Sequence, residues 1–182
     1  MSNSELSRKA IALAKILKKG KISALKDFGD NCSELAFLRE DDRFVDLTVV
    51  AYASAKFFEK PYIRHSPQWR VLVKKISKSL EKSAGLIKKD ESFFEREIES
   101  VIDDVKGLSK VLGRFLVNYV DKARIKAATQ MYAHGASLGK AAELAQVNKQ
   151  DLAFYIGQTT LSEKYQTISV RQRLGKTEEL FK

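Results

Sequence analysis

Asn148, Lys149, Gln150 and Ala153 have the side chains and the spacing of a groove-reading helix. A glutamine amide can pair with adenine through two hydrogen bonds, and an alanine methyl can meet the methyl of thymine. Asn148 stands where a helix start needs an oxygen to accept from open N–H groups. Lys140, Lys126 and Arg124 are candidate phosphate contacts, which position a protein on a duplex without specifying sequence. Two neighbours oppose this reading: Asp151 brings an acid to the groove, and Phe154 is a poor polar reader. Both suit a protein-contact surface better.

The remaining inventory excludes most enzyme chemistry. The single cysteine, Cys32, rules out an internal disulfide and a thiolate zinc site. The two histidines lie far apart, His65 in an expected loop and His134 at an expected helix end. Asp41, Asp42 and Asp46, or Asp103 and Asp104, have the chemistry to bind a divalent ion, but helix starts and solvated faces account for them more simply. No glycine-rich phosphate loop or Ser/His/Asp set occurs. The expectation is a protein without enzyme activity, cofactor or metal.

The elements around Asn148 follow a helix-turn-helix pattern. Ser137 caps a short helix carrying Ala141, Ala142 and Ala145, small residues that admit a second helix at close range. Val147 is the apolar residue of the turn. Asn148 opens the next helix, with Asp151 as a short capping-box partner and Leu152, Tyr155 and Ile156 facing inward. Residues 125–160, with SLGKAAELAQV at their centre, resemble prokaryotic helix-turn-helix regulators, and above all small antitoxins paired with PIN-domain ribonuclease toxins. Those carry glycine in the turn where this chain has Gln146. The resemblance implies DNA binding, and a C-terminal segment that wraps a protein partner and offers it an arginine, here Arg171 or Arg173. Read by itself, the stretch 161–182 is a tail that docks on its own core as a strand or helix.

A second cationic feature stands apart. Arg70, Lys74, Lys78 and Lys82 recur every four residues, with Lys75 beside them, so a helix over 67–84 presents one basic ridge. Ser66-Pro67 is a capping pair, and Trp69, Leu72, Val73, Ile76, Leu80, Ala84 and Ile87 form the opposite apolar face. Charge alternates in blocks within the net +10: residues 56–89 hold +8 and residues 90–105 hold −6. Either neighbouring acidic helices neutralise the ridge, or it meets an anionic partner such as an RNA backbone.

The whole chain reads as all-α. Two prolines and nine glycines in 182 residues are too few for the turns of a sandwich or barrel. Helices are expected over 4–19, 22–28, 32–38, 41–58, 67–84 and 114–134, with an acidic helix opened by Asp90 and a break near 107–113. Gly29 is expected to close the second of these and Pro61 the fourth. The organisation is an N-terminal helical bundle (1–112), a helix-turn-helix-like module (113–160) and the tail. No signal peptide or membrane span is expected, which points to the cytoplasm. The expected function is DNA-binding regulation, antitoxin-like in one version, with a homodimer possible. The alternatives are a protein-interaction adaptor and an RNA-associated factor using the ridge.

Overall fold

A computed structural model describes residues 2–111 and 119–158. Among them are nine α-helices and no strand: α1 (Ser2–Lys19), α2 (Ile22–Arg39), α3 (Arg43–Phe58), α4 (Pro61–Arg64), α5 (Pro67–Leu86), α6 (Glu91–Val111), α7 (Tyr119–Ala133), α8 (Leu138–Ala145) and α9 (Lys149–Gln158). The all-α expectation therefore holds.

α3 is the axis of the fold. Its residues Phe44, Val45, Leu47, Val49, Val50 and Ala51 through Ala53 are buried, so it is apolar on every side and other helices surround it. It packs against α1, α2, α6 and α7. At its C-terminal end Phe57 and Phe58 meet Trp69 of α5 edge to face, with ring centroids 5.1 and 5.0 Å apart, and Phe57 meets Tyr119 of α7 at 5.6 Å. Such pairs add about 1 kcal/mol each beyond the area they bury. α1 runs antiparallel to α5: Ser7 Oγ donates to the Ala84 carbonyl at 2.8 Å, and Ser77 Oγ to that of Ala14 at 3.5 Å. α6 runs antiparallel to α5 on its other side, joined by Lys75–Asp104 and Lys82–Glu97.

Caps fix the starts of two of these helices. Ser66 Oγ accepts from the Trp69 amide at 3.1 Å with Pro67 at the first helical position, and Asp90 accepts from the Phe93 amide at 2.9 Å.

Several boundaries differ from the sequence expectation. Gly29 does not close a helix, because α2 runs unbroken through it. The glycine is there for contact: a Cβ at this position would stand 2.4 Å from the Tyr52 ring of α3. α6 likewise continues past Gly107 to Val111. Pro61 ends α3 and also opens the single turn of α4. The hydrophobic core is continuous across the boundary drawn at residue 112, since Val120, Ala123, Ala127, Met131, Leu144 and Leu152 join the same cluster as α1 to α6.

Candidate nucleic-acid interface

The sequence that positions α9 is read out locally as expected. α7 ends at Gly135, whose φ of +105° suits glycine, and the Ala136 amide closes the end by donating to the Met131 carbonyl at 3.1 Å. Ser137 then caps α8, accepting from the Lys140 amide at 3.1 Å. Ala141, Ala142 and Ala145 are buried and let α8 lie close on α7. Gln146 adopts the left-handed conformation at φ 55° and ψ 45°, which the glycine of the resembling family would take without strain. Its amide and that of Val147 donate to the Glu143 and Ala142 carbonyls at 3.1 and 3.0 Å, so the turn closes despite the side chain. Asn148 Oδ1 accepts from the amides of Gln150 (2.7 Å) and Asp151 (3.4 Å), capping α9.

Among the described residues, α9 packs mainly on α7 and α8, with Leu152 buried and Ile156 half-buried. Lys149, Gln150, Ala153 and Phe154 are exposed, and Phe154 is 69% accessible. Gln150 and Phe154 sit one above the other on the outermost face, as residues four apart do. Tyr155 was expected inward and is instead 37% exposed, because α9 leans on its neighbours along a stripe too narrow to cover it. Tyr132, 40% exposed, adds an aromatic from the end of α7.

The supposed phosphate contacts divide. Arg124 is engaged within the fold: its guanidinium bonds Asp46 of α3 at 3.1 Å and reaches the Ala145 carbonyl at 3.4 Å, with only 17% of the side chain exposed. It is a strut tying α7 and α8 to α3. Burial pushes the Asp46 carboxyl up to about 6, against the opposing pull of Arg124. Lys126 is half-buried and faces Tyr52 of α3. Its ammonium lies 3.9 Å from the centre of the Tyr52 ring, and burial lowers its pKa. Lys140 reaches Glu40 at 3.5 Å and stays one-third exposed. Exposed Lys149 and partly exposed Lys140 are matched by exposed Asp151 and Glu143, so the α8–α9 surface is close to neutral.

Beside the α8–α9 turn lies a polar cleft of about 510 Å³ between α3, α6 and α7. Asp42, Asp46, Glu95, Glu99 and Asp103 outnumber Arg43, Lys106 and Arg124 on its walls, and Gln146 borders it. A duplex meeting α9 must approach from the side away from this cleft. Four of the five aspartates considered as ion ligands pair with cations of the chain: Asp41 with Arg43 at 2.8 Å, Asp46 with Arg124 at 3.1 Å, Asp103 with Lys106 at 3.2 Å and Asp104 with Lys75 at 2.7 Å.

The ridge on α5 is partly neutralised. Lys75 and Lys82 pair with Asp104 and Glu97 of α6, and Lys82 also lies over the Phe93 ring. They leave the ridge because α6 packs along that flank. Arg70, Lys74 and Lys78 remain exposed with no acid partner among the described residues. Arg171 and Arg173 lie outside the described residues. Cys32 is buried, and burial raises its thiol to about 12, which makes it an inert core residue. No helix among the described residues is long and apolar enough to cross a membrane.

Compared with protein families, curated proteins and solved structures, the chain matches none.

Proposed function

We propose that this chain is a DNA-binding regulatory protein whose α9 enters the major groove. The observation that carries the reading is the exposure of α9 among the described residues: it is capped at its start, seated on buried Leu152 and half-buried Ile156, and exposed at its other positions. A helix is roughly 10–12 Å across with its side chains and the major groove is about 12 Å wide, so such an element fits. Gln150, in the first turn, reads adenine through its amide. Ala153 and Phe154 offer apolar surface to thymine methyls. Phe154 thus serves as an apolar reader, which reconciles it with the groove. Lys149 and Lys140 contact phosphates. Asn148 spends its carbonyl oxygen on the cap, leaving its amide nitrogen to donate.

With so little net charge on α8 and α9, sequence contacts rather than phosphate contacts carry the discrimination, and a homodimer on two half-sites supplies affinity one copy lacks. An antitoxin-like role is the narrower version, resting on the resemblance of residues 125–160. The test is selection from a random duplex pool, followed by binding of Lys149→Ala/Gln150→Ala to the enriched site. Enrichment of an A·T-containing motif, and loss of at least tenfold preference in the variant, support the reading. A pool that enriches nothing gives the surface to the adaptor alternative, with Phe154, Tyr132 and Asp151 as its contacts.

A further inference from the structure

The exposed cations of α5 do not stand alone. The antiparallel register of α1 and α5 places the last turns of α1 beside the first turns of α5. On α1, Arg8, Lys15 and Lys19 are exposed at spacings of seven and four, which puts them on one face. They join Arg70, Lys74 and Lys78 across the helix pair, and none of these has an acid partner among the described residues. The one acid between the two rows, Glu81, is held by Lys18 at 2.5 Å. On the opposite flank of α5, by contrast, Lys75 and Lys82 are neutralised by Asp104 and Glu97 of α6. The unpaired cluster therefore keeps the self-repulsion that the other flank has lost.

We infer that the α1–α5 face is a second DNA site, which holds the phosphate backbone of a duplex without regard to sequence. Its location separates it from α9. The first turns of α5 lie at the C-terminal end of α3, where Trp69 meets Phe57 and Phe58, whereas Arg124 docks α7 and α8 at Asp46 near the N-terminal end. These anchor points are roughly 18 Å apart along α3. A membrane surface is the poorer match, because the exposed apolar residues between these cations are Ile11 and Val71, without the Trp, Phe or Leu that an interfacial helix inserts. The choice of DNA over another polyanion rests on the reading of α9; the cationic face does not.

The test uses the full chain and a fluorescent random-sequence DNA duplex, with affinity measured across a series of salt concentrations. Lys15→Gln/Lys74→Gln/Lys78→Gln changes only exposed residues, and unaltered circular dichroism checks the fold. The expected result is a slope of log Kd against log salt that is shallower by about three, with affinity at low salt falling at least tenfold. Lys149→Ala/Gln150→Ala should leave that slope within about one of wild type, having lost one lysine. An unchanged slope in the triple variant overturns the proposal. So does tighter binding of the wild type to an RNA duplex or to phosphatidylglycerol vesicles than to the DNA. If duplex binding follows the triple variant but no sequence is ever preferred, this site stands and the reading of α9 fails. If preference exists and the triple variant matches wild type, the reverse holds.

Discussion

At the scale of single residues, the side chains that look alike in the sequence have been given different work. Arg124 and Lys149 are both cations near the predicted reading helix, yet the first is a strut and the second is free surface. Arg124→Met should strand the Asp46 carboxylate in a largely buried site and cost about 3 kcal/mol at neutral pH, read by urea unfolding. The loss should shrink at pH 5, where Asp46 takes up a proton. The sign follows from the raised pKa of about 6. Between the ordinary carboxylate value and 6 the native state binds a proton that the unfolded chain does not. The contribution of Asp46 is therefore full below the ordinary value and lost as pH rises through 6. Asp46→Asn should flatten that part of the pH profile. Phe154→Ala, by contrast, should change stability by less than about 0.5 kcal/mol, since the ring is mostly exposed. It should weaken binding to the selected duplex about as much as replacing the contacted thymine by uracil, and the two changes together should not add. The outward residues of α9 were legible because caps and helical spacing are local. The roles of Arg124 and Lys126 were not, because Asp46 and Tyr52 reach them from a distant part of the chain.

At the scale of elements, glycine and its substitutes decided where reading the sequence succeeded. Gly135 stops α7 as its type suggests, with a positive φ. Gly29 does not stop α2, since its conformation is helical and what matters is the ring of Tyr52 across the interface. No spacing rule shows a contact of that kind. Gly29→Ala should force α2 and α3 apart and cost about 1–3 kcal/mol, measurable as a lower melting temperature. Gln146 is the converse case, a side chain held at a left-handed φ. Gln146→Gly should stabilise the protein by about 0.5–1 kcal/mol and leave DNA affinity unchanged, because the turn is already closed by its backbone bonds. The helices themselves were legible from caps and apolar periodicity: Ser66, Asp90, Ser137 and Asn148 all accept the amide bonds their positions predict.

At the scale of the molecule, one core carries two surfaces of different character. α3 gathers the other helices, and its two ends anchor the near-neutral α8–α9 unit and the unneutralised α1–α5 face. Charge blocks in the sequence left open whether an acidic helix would meet the basic one, and α5 against α6 is that meeting. They did not foretell which lysines would be left over, since that depends on the flank α6 covers. The central claim is that α9 reads duplex DNA. Selection from a random duplex pool with the full chain tests it most directly. The account predicts enrichment of a short motif containing A·T pairs, bound at least tenfold more tightly than a scrambled duplex by the wild type and not by Lys149→Ala/Gln150→Ala. A pool that emerges without a motif, or a motif bound equally well by the variant, contradicts it.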